Sequence, residues 1–157
     1  MKRKRYGHTK LGIMTFLLLS IMFTHCTSDK TENIVLENGN FRYEMDHTGK
    51  NLHFIDKESN TDYLYTDTVS YCASVKQNGK EFKVSSVTLK GDLMKLEFSD
   101  AGVTAEVKIS KTKDRINFKV ASINGQAESM TFVNVPLKLE GMPYESFAAC
   151  VLAMNLY

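Results

Sequence analysis

The chain has no tryptophan, and it contains only two prolines and three cysteines among its 157 residues. Without a tryptophan, and without a cysteine pair at the spacing of immunoglobulin domains, nothing specific supports an immunoglobulin fold. The apolar content of 43% and the charged content of 24% are nevertheless ordinary for a globular protein. The composition therefore predicts one folded domain and excludes disorder over most of the length.

The net positive charge of the chain disappears once the first ten residues are set aside. Five basic residues and no acidic ones precede an apolar run, namely Lys2, Arg3, Lys4, Arg5 and Lys10. Removing these five from the 20 basic residues leaves 15 against 18 acidic ones, a net charge of about −3. A domain with that charge balance has no electrostatic means of holding a polyphosphate backbone, so we expect no nucleic-acid partner.

The sequence also lacks an apolar run long enough to cross a bilayer as a helix. Such a helix needs roughly 20 residues. The run at residues 11–23 (LGIMTFLLLSIMF) is shorter, follows the basic stretch and is followed by polar residues. This layout is typical of a secretory signal.

Cys26 follows that run, directly after His25. The arrangement resembles the lipobox of bacterial lipoproteins, in which the cysteine becomes the acylated first residue after cleavage. The family pattern prefers a small residue before the cysteine, and His25 is not small. Lipoproteins of the Bacteroidota are laxer at that position, and the sequence is more similar to theirs. The resemblance implies a signal peptide over residues 1–25 and a tether over residues 26–32. Fatty acyl chains such as palmitate on Cys26 would then hold the protein at a membrane of the cell envelope. The alternative is an uncleaved signal anchor with an incidental cysteine.

From residue 33 onward, apolar and polar residues alternate with a period of two, and turn residues interrupt the alternation at short intervals. The pattern predicts about nine strands and no amphipathic helix up to residue 139. A parallel βαβ architecture is excluded because each crossover needs a dozen residues or more. We therefore predict an all-β fold, an antiparallel β-sandwich of the supersandwich kind, over residues 33–157.

Two features of the strand pattern are specific enough to check. Asn78-Gly79 lies between alternating runs, and both residues tolerate the positive φ that a type I′ hairpin turn requires. The apolar parity then changes between Val84 and Val87, which predicts a bulge or a strand break near Ser85. The last predicted strand covers residues 130–139.

The C-terminal segment, residues 147–157 (FAACVLAMNLY), is almost wholly apolar and carries no charge. Domain ends are usually polar and exposed. The segment is predicted to be either a last buried strand or helix, or the point where an incomplete domain continues into a longer chain. Cys72 and Cys150 both lie in apolar stretches, where a buried free thiol is the common outcome. We expect no disulfide between them.

Histidines and known catalytic motifs are scarce beyond the N-terminal region. Only His47, in a turn, and His53, on the polar side of a strand, remain. A zinc site needs three or four convergent ligands, and the aspartates lie at turns, where they serve the turn itself. A nucleophile elbow, a P-loop and a dinucleotide fingerprint are all missing. We expect no catalytic residue, metal ion or cofactor.

Three tyrosines, Tyr63, Tyr65 and Tyr71, are close together in the stretch TDYLYTDTVSY. Aromatic faces beside polar groups suit sugar rings, which pack their C–H faces on the aromatic ring and hydrogen-bond at their edges. Tyrosine is also favoured in strands for structural reasons alone. The three tyrosines are candidates for sugar binding.

Four stretches resemble the N-terminal β-sandwich of glycoside hydrolases from Bacteroidota, namely LENGNFRYEMDHTGKNLHFIDKESNTDYL, VKQNGKEF, GDLMKLEF and MTFVNVPL. That sandwich is related to the galactose-mutarotase fold and precedes a catalytic domain. The resemblance covers residues 35–139 and implies an accessory or substrate-positioning role toward carbohydrate. It assigns no catalytic residue here, because the catalytic acids of those enzymes lie beyond the sandwich.

The leading hypothesis is thus an exported, membrane-anchored lipoprotein domain with a carbohydrate-binding or glycoside-hydrolase accessory role, whose partner is a polysaccharide or oligosaccharide. A structural or adhesion sandwich that binds protein is the second hypothesis, and a carbohydrate-active hydrolase is the third. One concave cluster of the three tyrosines would favour sugar, whereas a flat apolar patch would favour protein.

Overall fold

A computed structural model describes residues 32–145 and 147–152 of the chain. The secondary structure of this part consists of β-strands and one short 3₁₀ helix, Ser99–Ala101. The strands are β1 Ile34–Glu37, β2 Phe41–Met45, β3 Asn51–Asp56, β4 Thr61–Asp62, β5 Ala73–Gln77, β6 Lys80–Lys83, β7 Ser86–Lys90, β8 Leu93–Phe98, β9 Val103–Lys111, β10 Ile116–Asn124 and β11 Ser129–Phe132. The all-β prediction is confirmed, with eleven described strands where about nine were expected.

The strands form three antiparallel sheets. Two are meanders, with the orders β1-β2-β3-β4 and β10-β9-β8-β7. The third has the order β11-β5-β6, because the last strand returns to pair with β5. Every pairing between these strands is antiparallel, which agrees with the exclusion of parallel crossovers.

The inward rows of the three sheets meet in one apolar core. The first sheet contributes Leu36, Tyr43 and Met45, the second contributes rows from β8 and β9, and the third contributes Ala73 and Val75. Each aliphatic side chain buried in such a core stabilises the fold by roughly 1.5–3 kcal/mol. Sheets with one buried face that share a core make a sandwich, and the predicted antiparallel β-sandwich is confirmed.

β8 and β9 contribute many side chains to this core, because every second residue along each strand is apolar. Along β9 the residues alternate between buried and more exposed, and the same holds for β8. The buried members are Met94, Leu96, Phe98, Val103, Ala105, Val107 and Ile109. All of them belong to the apolar rows that the sequence predicted.

The break predicted near Ser85 is a change of sheet. β6 ends at Lys83 in the sheet β11-β5-β6, and β7 begins at Ser86 in the sheet β10-β9-β8-β7. The amide of Ser85 donates to the carbonyl of Glu97 at 2.8 Å, which holds the connection. Val84 and Val87 therefore both reach the core, although their parities differ.

The strand predicted over residues 130–139 is wrong in its extent, since β11 ends at Phe132. Beyond it, Asn134 donates its amide to Cys72, whereas Lys138 donates its amide to Tyr63. Pro136 lies between them and has no amide to donate. Because the segment changes partners on either side of a proline, no continuous ladder forms.

The C-terminal segment is not a buried strand or helix in the part that the structure describes. Residues 147–152 have no regular secondary structure, and Val151 and Leu152 are 76% and 72% exposed. No described strand pairs with this segment, and only Phe147 of it packs against the core among the described residues. The two described cysteines are free, as expected, but Cys150 is exposed whereas Cys72 is fully buried.

Candidate functional site

The hairpin formed by β5 and β6 sets up the most distinctive surface of the domain. Its turn residues Asn78 and Gly79 have φ values of 52° and 74°, so the predicted type I′ turn is confirmed. A two-residue turn fixes the register, and Ser74 accordingly lies opposite Lys83. The turn chemistry therefore decides which side chains share a face.

One face of the sheet β11-β5-β6 is polar at each position. The opposite face carries Ala73, Val75, Phe82, Met130 and Phe132, which are buried or packed against the core. The register places six side chains together on the other face, here called the polar face: Ser74, Lys76, Glu81, Lys83, Ser129 and Thr131. It is a continuous row of hydroxyl, ammonium and carboxylate groups across three strands.

A shallow groove of about 280 Å³ lies on the polar face. Its lining residues are Ser74, Lys76, Gly79, Glu81, Ser129 and Thr131. Apart from the glycine, each contributes a side chain that donates or accepts hydrogen bonds. The volume is close to that of the smallest ligand sites in proteins.

The carboxylate of Glu81 is held in place from within the sheet. The hydroxyl of Ser74, which is buried, donates to Oε1 of Glu81 at 2.5 Å. A hydrogen bond to a charged acceptor is short and strong. The bond orients the carboxylate at the groove, where its second oxygen remains available as an acceptor.

Tyr71 lies at one end of the polar face and contacts Lys83. The ammonium of Lys83 donates to the Tyr71 hydroxyl at 2.9 Å and lies 4.1 Å from the ring centroid. A cation at that distance is attracted by the ring. Tyr71 is itself packed against the core. Of the three candidate tyrosines, it is the one in contact with the polar face, where it positions a lysine.

The other two candidate tyrosines lie elsewhere. Tyr63 stacks on Phe147 with ring centroids 4.8 Å apart. Tyr65 is 38% exposed, and a hydrogen bond to the Asp67 carboxylate raises the pKa of its hydroxyl.

Tyr63 and Tyr71 reach the first sheet at different points. The amide of Tyr63 donates to the carbonyl of Phe54, whereas Tyr71 forms an isolated antiparallel β-bridge with Lys50. Four positions along a strand span roughly 13 Å. Tyr63 and Tyr71 therefore do not lie side by side.

His53 is paired with Asp62. Its Nδ1 lies 2.7 Å from Oδ2 of the aspartate, and His53 lies on the polar side of β3, as expected. Burial alone would raise the pKa of Asp62, but hydrogen bonds from His53 and the amides of Phe54 and Leu64 outweigh it and lower the pKa. The pair links β4 to β3. A nucleophilic triad would need a hydroxyl or thiol bonded to the histidine, and none of the described residues supplies one.

In residues 32–145 and 147–152, no three histidine, cysteine or acidic side chains lie together in a way that would hold a metal ion. That part of the chain also contains no helix with the length and apolar character of a membrane span. The predicted acylation site, Cys26, lies outside the described residues.

The chain matches no protein-family model, no curated protein and no solved structure.

The sequence analysis did not identify the polar face, although the sequence indicates four of its six residues. Asn78-Gly79 fixes the pairing of β5 with β6, so the alternation alone brings Ser74, Lys76, Glu81 and Lys83 together. The contribution of β11 depends on a distant pairing that no local pattern reveals.

Proposed function

We propose that this chain is an exported, lipid-anchored domain that binds a saccharide on the polar face and serves a carbohydrate-active enzyme as an accessory domain. The observation that carries the proposal is the groove lined by hydroxyl, ammonium and carboxylate groups from three strands. Each sugar hydroxyl both donates and accepts, and a surface that recognises it must offer both functions.

The groups of the polar face have complementary roles. Glu81, held by Ser74, accepts from sugar hydroxyls, and Lys76 and Lys83 donate to ring or hydroxyl oxygens. The hydroxyls of Ser129 and Thr131 do either. These side chains lie on paired strands rather than on mobile loops, so little ordering is needed when a saccharide binds.

Affinity electrophoresis of the full chain in detergent, through gels containing single polysaccharides, tests saccharide binding. Retention on at least one polysaccharide is expected, and Glu81→Gln should weaken it because a charged acceptor is lost. Glu58→Gln removes the same charge in an exposed turn outside the polar face and should leave retention unchanged. Free migration through every polysaccharide would refute the proposal.

The anchor is tested separately, on cells that produce the full chain. Cys26→Ala should abolish the incorporation of a labelled fatty acid and move the protein from the membrane fraction to the soluble fraction, because acyl chains supply the membrane affinity. Cys150→Ala, which removes an exposed cysteine, should change neither. An unlabelled wild-type chain would contradict acylation.

Protein binding is a second candidate, supported by β10. This nine-residue strand is at the edge of its sheet, and Val120 and Ile123 on it are 47% and 43% exposed. A long edge with exposed apolar side chains can pair with a strand of a partner. Ile123→Lys should abolish capture of such a partner and leave polysaccharide retention unchanged.

A further inference from the structure

Two lysines of the polar face have no acidic partner. Lys95 is paired with Glu97 at 2.6 Å, and Lys57 and Lys108 lie 3.7 Å from carboxylates of their own. Lys76 and Lys83 form no salt bridge with any carboxylate of the described residues. The Lys83 ammonium donates to the Tyr71 hydroxyl and lies over the Tyr71 ring. The polar face therefore presents two ammonium groups that form no salt bridge within the described residues, although Lys76 lies opposite Glu81 in the register.

The sheet register places these two lysines on one diagonal. Lys76 lies opposite Glu81, and Ser74 lies opposite Lys83. Diagonal neighbours of an antiparallel pair are about 7–8 Å apart at their Cα atoms, within reach of long side chains. Ser74 and Glu81 lie on the other diagonal, and the Ser74 hydroxyl donates a hydrogen bond to the Glu81 carboxylate. The two lysines thus flank a single carboxylate whose orientation is fixed.

The charge of this surface is opposite to that of the chain beyond its N-terminal basic stretch. The six side chains of the polar face include two lysines and one glutamate, an excess of one positive charge. A further carboxylate, that of Glu128, lies at the turn end of the groove, where it accepts from the Gly79 amide at 3.1 Å. Residues from 11 onward carry a net charge of about −3, with 15 basic and 18 acidic residues. A local excess of cations on an otherwise acidic domain favours an anionic ligand.

We propose that the saccharide bound on the polar face is anionic, with a uronate carboxylate or a sulfate ester contacting Lys76 and Lys83. This inference rests on the proposed saccharide-binding function and names its substrate class. Glu81 accepts from the neighbouring sugar hydroxyls while the lysines contact the anionic group, so the two kinds of charge set the orientation of the sugar. Tyr71 holds the Lys83 ammonium in place before binding, which reduces the ordering cost.

The test uses matched pairs of polymers that differ in charge alone. The full chain in detergent is run through gels containing polygalacturonate or its methyl-esterified form, and dextran sulfate or dextran. Retention is expected on at least one acidic polymer and not on its neutral partner. Raising the salt concentration should weaken it, because exposed charges are screened. The two pairs separate a carboxylate preference from a sulfate preference.

Single variants locate the effect. Lys76→Gln and Lys83→Gln should each reduce affinity for the acidic polymer by roughly fivefold, as expected for loss of one charge-assisted contact at an exposed site. Lys119→Gln removes the same charge from the outer face of β10 and should have no effect. Circular dichroism checks that each variant is folded.

The failures can be told apart. Equal retention on neutral and acidic polymers, weakened by Glu81→Gln, would overturn the anionic preference while saccharide binding stands. Equal weakening by Lys76→Gln, Lys83→Gln and Lys119→Gln would show diffuse attraction and would also overturn the assignment. Absence of retention on all four polymers and on a wider set of neutral polysaccharides would remove the proposed function itself.

Discussion

The hydroxyl of Tyr43 donates to Oδ1 of Asn51 inside the core. The side-chain nitrogen of Asn51, Nδ2, donates in turn to the Ser70 hydroxyl at 2.8 Å and to the Asn134 carbonyl at 2.9 Å. Tyr43 is 2% exposed and Asn51 is 4% exposed, so water cannot replace these bonds. One asparagine thereby joins β2 and β3 to two segments that flank the third sheet.

Removing either member of this network should destabilise the fold. Tyr43→Phe leaves the Asn51 oxygen without its donor and should reduce the free energy of unfolding by about 2 kcal/mol. Asn51→Ala removes three hydrogen bonds and should cost about 3 kcal/mol. Urea unfolding followed by circular dichroism measures both. The double variant should lose at least about 0.5 kcal/mol less than the sum of the two single variants, and strict additivity would argue against a shared network.

Gly49 is predicted to be intolerant of a side chain. Its φ is +79°, and a Cβ there would lie 2.4 Å from Val84 Cγ1 and 3.2 Å from Cys72 Sγ. Gly49→Ala should therefore cost about 3 kcal/mol, from overpacking and backbone strain together. Gly91 is the matched control, because its φ is +62° and a Cβ there meets nothing within 4 Å. Gly91→Ala should cost about 1 kcal/mol, from strain alone, and equal losses in urea unfolding would contradict the packing argument.

Acid should destabilise the domain through its turn aspartates. Burial would raise the pKa of Asp46, but hydrogen bonds from Thr48 and Lys50 outweigh it and hold the pKa below its usual value. The Ser59 hydroxyl does the same for Asp56, and the pKa of Asp62 is also lowered. A lowered pKa means that the folded state prefers the charged form. The stabilisation is present above the unfolded pKa of about 4 and is lost as the pH falls through the lower folded values.

The urea midpoint should accordingly hold between pH 7 and 5 and fall below pH 4. Asp46→Asn should flatten this fall, because one of the three groups no longer titrates. Asp114→Asn, in the exposed loop between β9 and β10, should leave the slope as it is. A wild-type midpoint that does not change between pH 5 and 3 would disprove the linkage.

The two described cysteines should differ sharply in reactivity. Burial raises the pKa of the Cys72 thiol to about 12, so at pH 8 it is neither ionised nor accessible. Cys150 is exposed. Maleimide at pH 8 should modify Cys150 within minutes, whereas Cys72 should react at a comparable rate only in urea. Mass spectrometry of the two cysteine-containing peptides measures each site, and rapid native labelling of Cys72 would mean that the core is open there.

The sequence predicted those parts of the fold that local chemistry determines. The row from Val103 to Ile109 shows a strict period of two, and all four of its apolar members are buried. Asn78-Gly79 predicted the hairpin turn, because few other residue pairs adopt two consecutive positive φ values. The change of parity before Val87 marked a break, although its meaning as a change of sheet required the structure.

The features that depend on distant pairing could not be predicted. Asn51 is buried although Leu52 is the apolar neighbour, because the register of β2 and β3 shifts between Glu44 and Met45. The apolar C-terminal segment gave no sign of whether a sheet edge receives it. Tyr63 and Tyr71 are close in the sequence but separated in the fold, because the chain between them leaves the first sheet and returns to it beside Lys50.

The return of β11 to β5 sets an order of assembly. The hairpin of β5 and β6 is local and can close early, since its ends are joined by a two-residue turn. β11, which carries Ser129 and Thr131, follows β7 to β10 in the chain. Its pairing with β5 is therefore non-local, and such pairing is slow. The polar face is thus complete only once β11 has paired with β5. A measurement that depends on the polar face therefore also reports whether this non-local pairing has formed.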